Sequence, residues 1–175
     1  MWYNYAMSIE LSQKDIDDMN EEINERIQLR SSFHDDIVMA RSYGDLSENA
    51  EYHSAKHVKN KNEGRIRYLR SLIKNATIIE SSPEKNIVGY FDRVKLYFED
   101  EDAEEYFVIS SKVRIDMSKG VISKESPLGS SIFGKKIGDK ILVEVSPDVK
   151  YFVVIKDIQK NVSVDDIPLN KFWCY

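Results

Sequence analysis

Apolar positions fall into two stripes of helical period before the pattern changes. Ile16, Met19, Ile23, Ile27, Phe33, Ile37 and Ala40 recur at steps of three and four, with one longer step across Arg30. A second stripe, Ala55, Val58, Asn62, Ile66, Leu69, Ile73 and Ala76, keeps the same spacing, and Asn62 is its polar member. Such spacing puts each set on one face of a helix. Ser12 can cap the first helix, with Asp15 in its first turn. No proline precedes Pro83, and Gly44 lies between the stripes as a natural breaker. Two stripes of similar length around one short break predict an antiparallel helical hairpin over residues 1–80. At roughly 30 residues each, its arms would be about 45 Å long. Two helices bury less than a globule does, so a hairpin of that length serves to reach something. Its tip lies around Tyr43 to Glu48.

From residue 83 the period shortens. Ser81-Ser82-Pro83 reads as a linker, and residues 84–175 as a second domain. Runs rich in β-branched and aromatic residues follow at Val88–Phe91, Arg93–Phe98, Tyr106–Ser110, Lys140–Val145 and Tyr151–Ile158. Val94, Leu96 and Phe98 alternate with polar or charged neighbours, as a half-buried strand requires. Residues 127–137 predict one short helix before Gly138-Asp139. The expected class is α+β: a helical hairpin, then a small antiparallel sheet carrying one helix. The tail beyond about residue 160 shows no clear pattern.

Charge changes this picture in one respect. The net charge is −5, which argues against a general duplex-DNA binder. The balance is uneven, however. Acids dominate residues 10–36, whereas Lys56, Lys59, Lys61, Arg65, Arg67, Arg70 and Lys74 dominate residues 53–74. The two arms can therefore pair electrostatically, with Lys59, Arg65, Arg67 and Arg70 as partners for the acidic arm. No apolar run approaches the roughly 18 residues of a membrane span. The N-terminal stretch has no signal-peptide pattern, and Cys174 is the lone cysteine, so the expected compartment is the cytoplasm.

The tip reads RSYGDLSENAEYH. Asp45 and Glu48 are three apart, which at a helix start sets both carboxylates on one side. Two exposed carboxylates are too few for a magnesium cage but can complete a site that another macromolecule supplies. The same residues also fit a capping box, with Asp45 as N-cap and Glu48 as its N3 partner. Arg41 and Lys56 flank the tip, either as phosphate-facing cations or as solvated helix charges. Tyr52 would pack at the base of the tip. His53 and His57, four apart, have the spacing of a zinc pair but lack an evident third ligand. Ser126-Pro127 reads as a helix start with proline in the first position.

Three stretches carry a family resemblance: GDLSENAEYHSAK at 44–56, EGRIRYLRSLIKNATIIE at 63–80, and ISKESPLGSSIFGKKIGD at 122–139. Together they resemble the signatures of the GreA/GreB transcript-cleavage factors, with GreA the nearer branch. They stand in that family's order and spacing, and the likeness runs from about residue 11 to 158. The resemblance implies a coiled-coil hairpin that enters the secondary channel of RNA polymerase, and an FKBP-like C-terminal domain that docks on the polymerase rim. It implies that Asp45 and Glu48 help hold a magnesium ion and a water in the polymerase active site, so that the polymerase cleaves its own backtracked transcript. Magnesium is then expected only in that complex. It further implies that Arg41 and Lys56 face the nascent RNA 3′ end, and that Ser126, Pro127 and Leu128 contact the polymerase. A monomer that is not itself an enzyme, with no membrane partner, is expected. Three segments depart from the family: SSFHDD at 31–36, the N-terminal MWYNYAM, and the tail after residue 158.

Other functions fit parts of the chain. A channel-blocking inhibitor of the same fold would carry a different, more acidic tip, whereas GDLSEN matches the cleavage-active form. An FKBP-like prolyl isomerase or peptide-binding module would share the C-terminal fold, but fold does not give function. A bare structural coiled coil leaves both the tip motif and the sheet unexplained.

Overall fold

The computed structural model describes residues 9–44, 49–164 and 167–169. The chain forms two compact units, one built mainly from residues 14–76 and the other from residues 10–13 and 77–170. Each is described by itself.

The first unit is the helical hairpin. Helix α1 spans Gln13–Gln28, α2 spans Arg30–Arg41 and α3 spans Ala50–Lys74. The long first arm is thus divided at Leu29, where one continuous helix is expected. Backbone bonds still run through the joint, from Leu29 N–H to the Glu25 carbonyl and from Phe33 N–H to the Leu29 carbonyl. The division coincides with the longer step in the apolar stripe, where Gln28, Leu29 and Arg30 are all exposed. With no apolar side chain pinned there, local packing does not hold the turn to ideal geometry. The stripes otherwise form the interface. Met19, Ile23, Ile37 and Ala40 are buried from the first arm, and Ile66 and Leu69 from the second. Val58 departs from its stripe, at 44% exposed. The arms close at Ser42, and Gly44 follows with φ of +110°, a conformation that glycine adopts without strain.

The second unit is a five-stranded sheet in the order β5-β4-β3-β7-β6. Its strands are β3 (Arg93–Phe98), β4 (Ala103–Ser110), β5 (Val121–Ser123), β6 (Lys140–Ser146) and β7 (Val149–Gln159), with helix α4 at Pro127–Ile132. Two short strands, β1 (Ile9–Leu11) and β2 (Ala76–Ile78), pair separately. The sheet is mixed rather than wholly antiparallel. β3 pairs antiparallel with β4 and β7, and β6 with β7, but β5 runs parallel to β4. The reason is the connection: Ser111 to Gly120 forms a crossover, with a 3₁₀ turn at Met117–Lys119 capped by Asp116, and this brings the chain back in the same direction. Alternation builds the core. Val94 and Leu96 of β3, Ile141 and Val143 of β6, and Val153 and Ile155 of β7 pack with Ile132 of α4. A bulge opposite Lys95 and Leu96 inserts one residue into β7, so its buried positions step from Ile155 to Ile158.

The run Val88–Phe91 is not a strand. It is a buried loop held by specific bonds: Val88 N–H donates to the Lys135 carbonyl, and Phe91 N–H to the Ile109 carbonyl. Asp92, fully buried, accepts from Gly89 N–H at 2.6 Å and from Lys160 Nζ at 2.6 Å, which turns the chain before β3 begins. The described part of the tail is also fixed. Ile167 packs with Val108 and Val121 on the second face of β4, and its carbonyl accepts from the buried Arg114 at 2.5 Å. No described helix is long and apolar enough to cross a membrane.

Candidate functional site at the hairpin tip

Polar side chains set the register of the hairpin. Arg65, only 4% exposed, donates from Nε and Nη2 to the two oxygens of Glu22, at 2.9 Å each. Arg26 donates to the same carboxylate at 2.7 Å. Burial pushes the Glu22 carboxyl up, but the bonds and charges of Arg65 and Arg26 outweigh it and hold the group below its ordinary value. Asn62, the polar member of its stripe, is buried. It donates to the Arg26 carbonyl at 3.0 Å and accepts from the Arg26 guanidinium at 3.3 Å. Arg30 and Glu63 form a two-pronged pair at 2.7 Å. The expected electrostatic pairing of the arms is therefore carried by Arg65, but also by Arg26 and Arg30 in the acidic arm. Arg67 and Arg70 are exposed; Lys59 and Arg67 add only positive field around Glu63.

At the tip, α3 begins at Ala50 with Asn49 as its N-cap: Asn49 Oδ1 accepts from Tyr52 N–H at 2.9 Å. Its other end donates to the Ala40 carbonyl of α2 at 2.7 Å. The cap of this helix is thus Asn49. Asp45 and Glu48, the predicted tip acids, lie outside the described residues.

The flanking cations both act on Tyr52. Arg41, at the end of α2, lies with its guanidinium 5.6 Å from the Tyr52 ring centre. A hydrogen bond from Arg41, aided by the charges of Lys56 and Arg41 against a smaller effect of burial, pulls the Tyr52 phenol below its ordinary range. Arg41 lies over this ring, Lys56 adds its positive field to it, and His53 meets it edge-on at 5.6 Å. His53 and His57 are both exposed. Among the described residues, no group of three or more His, Cys, Asp or Glu side chains is placed to hold a metal. Sequence reasoning placed Arg41 and Lys56 beside the tip but missed Asn49, whose signal was an asparagine immediately before a run of helical residues.

In the second unit, Ser126 caps α4 by accepting from Gly129 N–H at 3.0 Å, and Pro127 takes the first helical position. Ser126, Pro127 and Leu128 line an apolar groove of about 500 Å³, together with Phe98, Phe107, Tyr151 and Phe152. Asp100, Glu101 and Glu105 also line it.

The described residues thus give a helical hairpin and a sheet unit with a helix-edged apolar groove. The comparisons give the class. Residues 9–78 match the family model described as "Transcription elongation factor, N-terminal", and residues 83–160 match "Transcription elongation factor, GreA/GreB, C-term". The chain belongs to the GreA/GreB family of transcription elongation factors. It is 39% identical over 120 residues to transcription elongation factor GreA of Sinorhizobium medicae, covering 68% of this chain and 76% of the relative. It is 40% identical over 129 residues to the GreA of Clostridium acetobutylicum, covering 72% and 80%. It is 33% identical over 149 residues to that of Jannaschia sp., covering 85% and 96%. The crystal structure of GreA factor homolog 1 (Gfh1) of Thermus thermophilus overlaps 87% of this chain and 99% of its own, at 18% identity and a TM-score of 0.39. That overlap is too loose to bear on function.

Proposed function

We propose that this elongation factor binds RNA polymerase, carries Asp45 and Glu48 into its active site on the hairpin tip, and stimulates the polymerase to cleave backtracked RNA. The observation that carries the reading is the position of GDLSEN. It falls where the two arms close, between the +110° turn at Gly44 and the cap at Asn49. Because Asn49 caps α3, the start of that helix does not depend on a capping box from Asp45 and Glu48. The two carboxylates are suited to share an ion with the polymerase rather than to hold one alone. A magnesium ion held in this way supplies the second cation of two-metal phosphodiester hydrolysis. The tip carboxylates also orient the attacking water and accept its proton. Arg41 and Lys56 attract the phosphates of the extruded RNA end. The apolar groove beside Ser126, Pro127 and Leu128 is the docking surface on the polymerase. The factor alone leaves RNA intact.

The test is a backtracked polymerase complex with 3′-labelled RNA. Short labelled fragments should appear only when this protein and magnesium are both added. Asp45→Ala and Glu48→Ala should each abolish them while leaving polymerase binding and helix content unchanged. Binding without fragments would make the chain a channel blocker instead. Loss of helix content in both variants would return the two residues to a structural role.

A further inference from the structure

Toward the tip, the hydrophobic interface of the hairpin thins on the α3 side. The buried positions of α3 are Asn62, Arg65, Ile66 and Leu69, all far from the tip. Nearer the tip, Val38, Met39, Tyr43 and Val58 are 51%, 61%, 59% and 44% exposed. Apolar burial near the tip is therefore one-sided: α2 keeps Ile37 and Ala40 buried, while α3 offers no buried apolar residue there.

Asn49 supplies a directional tie between them. A helix leaves its first N–H groups and its last carbonyls without intrahelical partners. One Asn49 side chain serves one of each. Its Oδ1 accepts from Tyr52 N–H in the first turn of α3, and its Nδ2 donates to the Ala40 carbonyl in the last turn of α2. The amide orientation is fixed by this environment, because one end faces a donor and the other an acceptor. The clasp joins Ala40, next to Arg41, to Tyr52, over whose ring Arg41 lies. Asn49 also directly follows Glu48 in the chain. A single side chain thereby bridges the two arms beside Arg41, one residue from Glu48 in the chain.

We infer that Asn49 is a positioning residue for stimulated cleavage: its bond across the arms to Ala40, and not only its cap on α3, holds the tip in working geometry. This rests on the tip-acid reading above. Serine is as good an N-cap as asparagine, but its shorter side chain cannot also reach Ala40. Asn49→Ser therefore separates the two bonds, and Asn49→Ala removes both.

Both variants are to be titrated into the backtracked polymerase complex, and the maximal cleavage rate read separately from the half-saturating concentration. Asn49→Ser should keep wild-type helix content and half-saturation. Its maximal rate should fall roughly tenfold or more, on the scale by which a misplacement of about 1 Å costs about 100-fold. Asn49→Ala should fall at least as far. A wild-type maximal rate for Asn49→Ser would overturn the inference and leave Asn49 as a cap only. A shift in half-saturation with an unchanged maximal rate would overturn it as well. Amide hydrogen exchange of the isolated protein gives a second readout. In Asn49→Ser, Tyr43, whose N–H donates to the same Ala40 carbonyl at 3.4 Å, should exchange faster as the arm end loosens, while Tyr52 keeps its protection; unchanged exchange at Tyr43 would refute the clasp. If the wild-type protein produced no fragments, the cleavage reading would fail by itself, and exchange would still decide the clasp.

Discussion

Replacing Arg65 with methionine should destabilise the hairpin by about 2–3 kcal/mol at neutral pH. The figure follows from its surroundings. Arg65 is 4% exposed and makes two parallel bonds of 2.9 Å to Glu22. Hydrogen bonds to charged groups contribute about 1.5–3 kcal/mol each, so two would give about 3–6 kcal/mol. The expected cost falls at or just below the bottom of that range because Glu22 keeps its 2.7 Å bond from Arg26 and is 22% exposed, so it is not stranded. Methionine retains much of the buried aliphatic volume, which limits the cavity contribution. Thermal and urea unfolding followed by far-ultraviolet circular dichroism reports this unit, since nearly all of the described helix lies in the hairpin. The double variant Glu22→Met/Arg65→Met should recover part of the loss, because it removes both charges together. The effect must also depend on pH. The Glu22 carboxyl is held below its ordinary value of 4.5. A depressed carboxyl stabilises the fold above 4.5 and loses that contribution as the pH falls through its folded value. The cost of Arg65→Met should therefore be full at neutral pH and shrink as the solution is acidified below 4.5. A neutral-pH cost under about 0.5 kcal/mol would refute the reasoning, because it would put the pair in the class of exposed surface bridges. A cost that persisted undiminished in acid would refute the electrostatic origin.

Two further outcomes test the second unit. Lys160→Met removes the cation that holds the fully buried Asp92 and should cost about 3–5 kcal/mol, while adding Asp92→Asn should restore part of it. Near-ultraviolet dichroism of the tyrosines reads this, and a loss below about 1 kcal/mol would show that Asp92 finds compensation elsewhere. Gly129→Ala would set a Cβ 2.1 Å from the Ser123 carbonyl oxygen and 2.8 Å from Ser126 Oγ, so α4 must move; a loss of about 3 kcal/mol is expected, with hairpin helicity unchanged. Wild-type stability of that variant would mean that the contact between α4 and β5 relaxes freely.

The hairpin was legible because its signal is local. Steps of three and four from Ile16 to Ala40 need no knowledge of distant residues, and Met19, Ile23 and Ile37 are buried as that pattern requires. Val88–Phe91 was misread for a complementary reason. Its apolar content is real, and Val88 is 1% exposed, but the partners that hold it as a loop are the distant Lys135 and Ile109 carbonyls, with Lys160 bonding Ile87 and Asp92 on either side of it. The parallel strand β5 depends likewise on a crossover whose direction no local period encodes. The fixed tail depends on Arg114 reaching the Ile167 carbonyl. At the tip, composition alone left Asp45 and Glu48 open to a capping role, and family signatures, not periodicity, singled them out. Asn49 was overlooked because an asparagine ahead of a helix suggests one bond, and its second bond goes to the other arm.

That second bond belongs to a wider pattern. Hydrophobic contact is non-directional, so an apolar stripe on each arm of a two-helix hairpin tolerates sliding. Directional bonds between the arms do not. Glu22 meets Arg65, Arg26 meets Asn62, Arg30 meets Glu63, and Ala40 meets Asn49. As the first number in each pair rises, its partner lies, with one small step aside at Glu63, ever nearer the tip, as antiparallel arms in one register require. The first three clasps lie where apolar burial is also available, so each shares its task with Met19, Ile23, Ile66 or Leu69. The fourth stands where α3 no longer contributes buried apolar residues, against Ala40 at the buried end of α2. A factor that must deliver two carboxylates to a site on another molecule needs its register preserved at the far end of the arms, where packing offers least. A directional bond from Asn49 is the means this sequence provides there. The polar residues along the hairpin are thus not equivalent: exposed Arg67 and Arg70 can vary with little structural consequence, while Asn62, Arg65 and Asn49 fix where the tip lies.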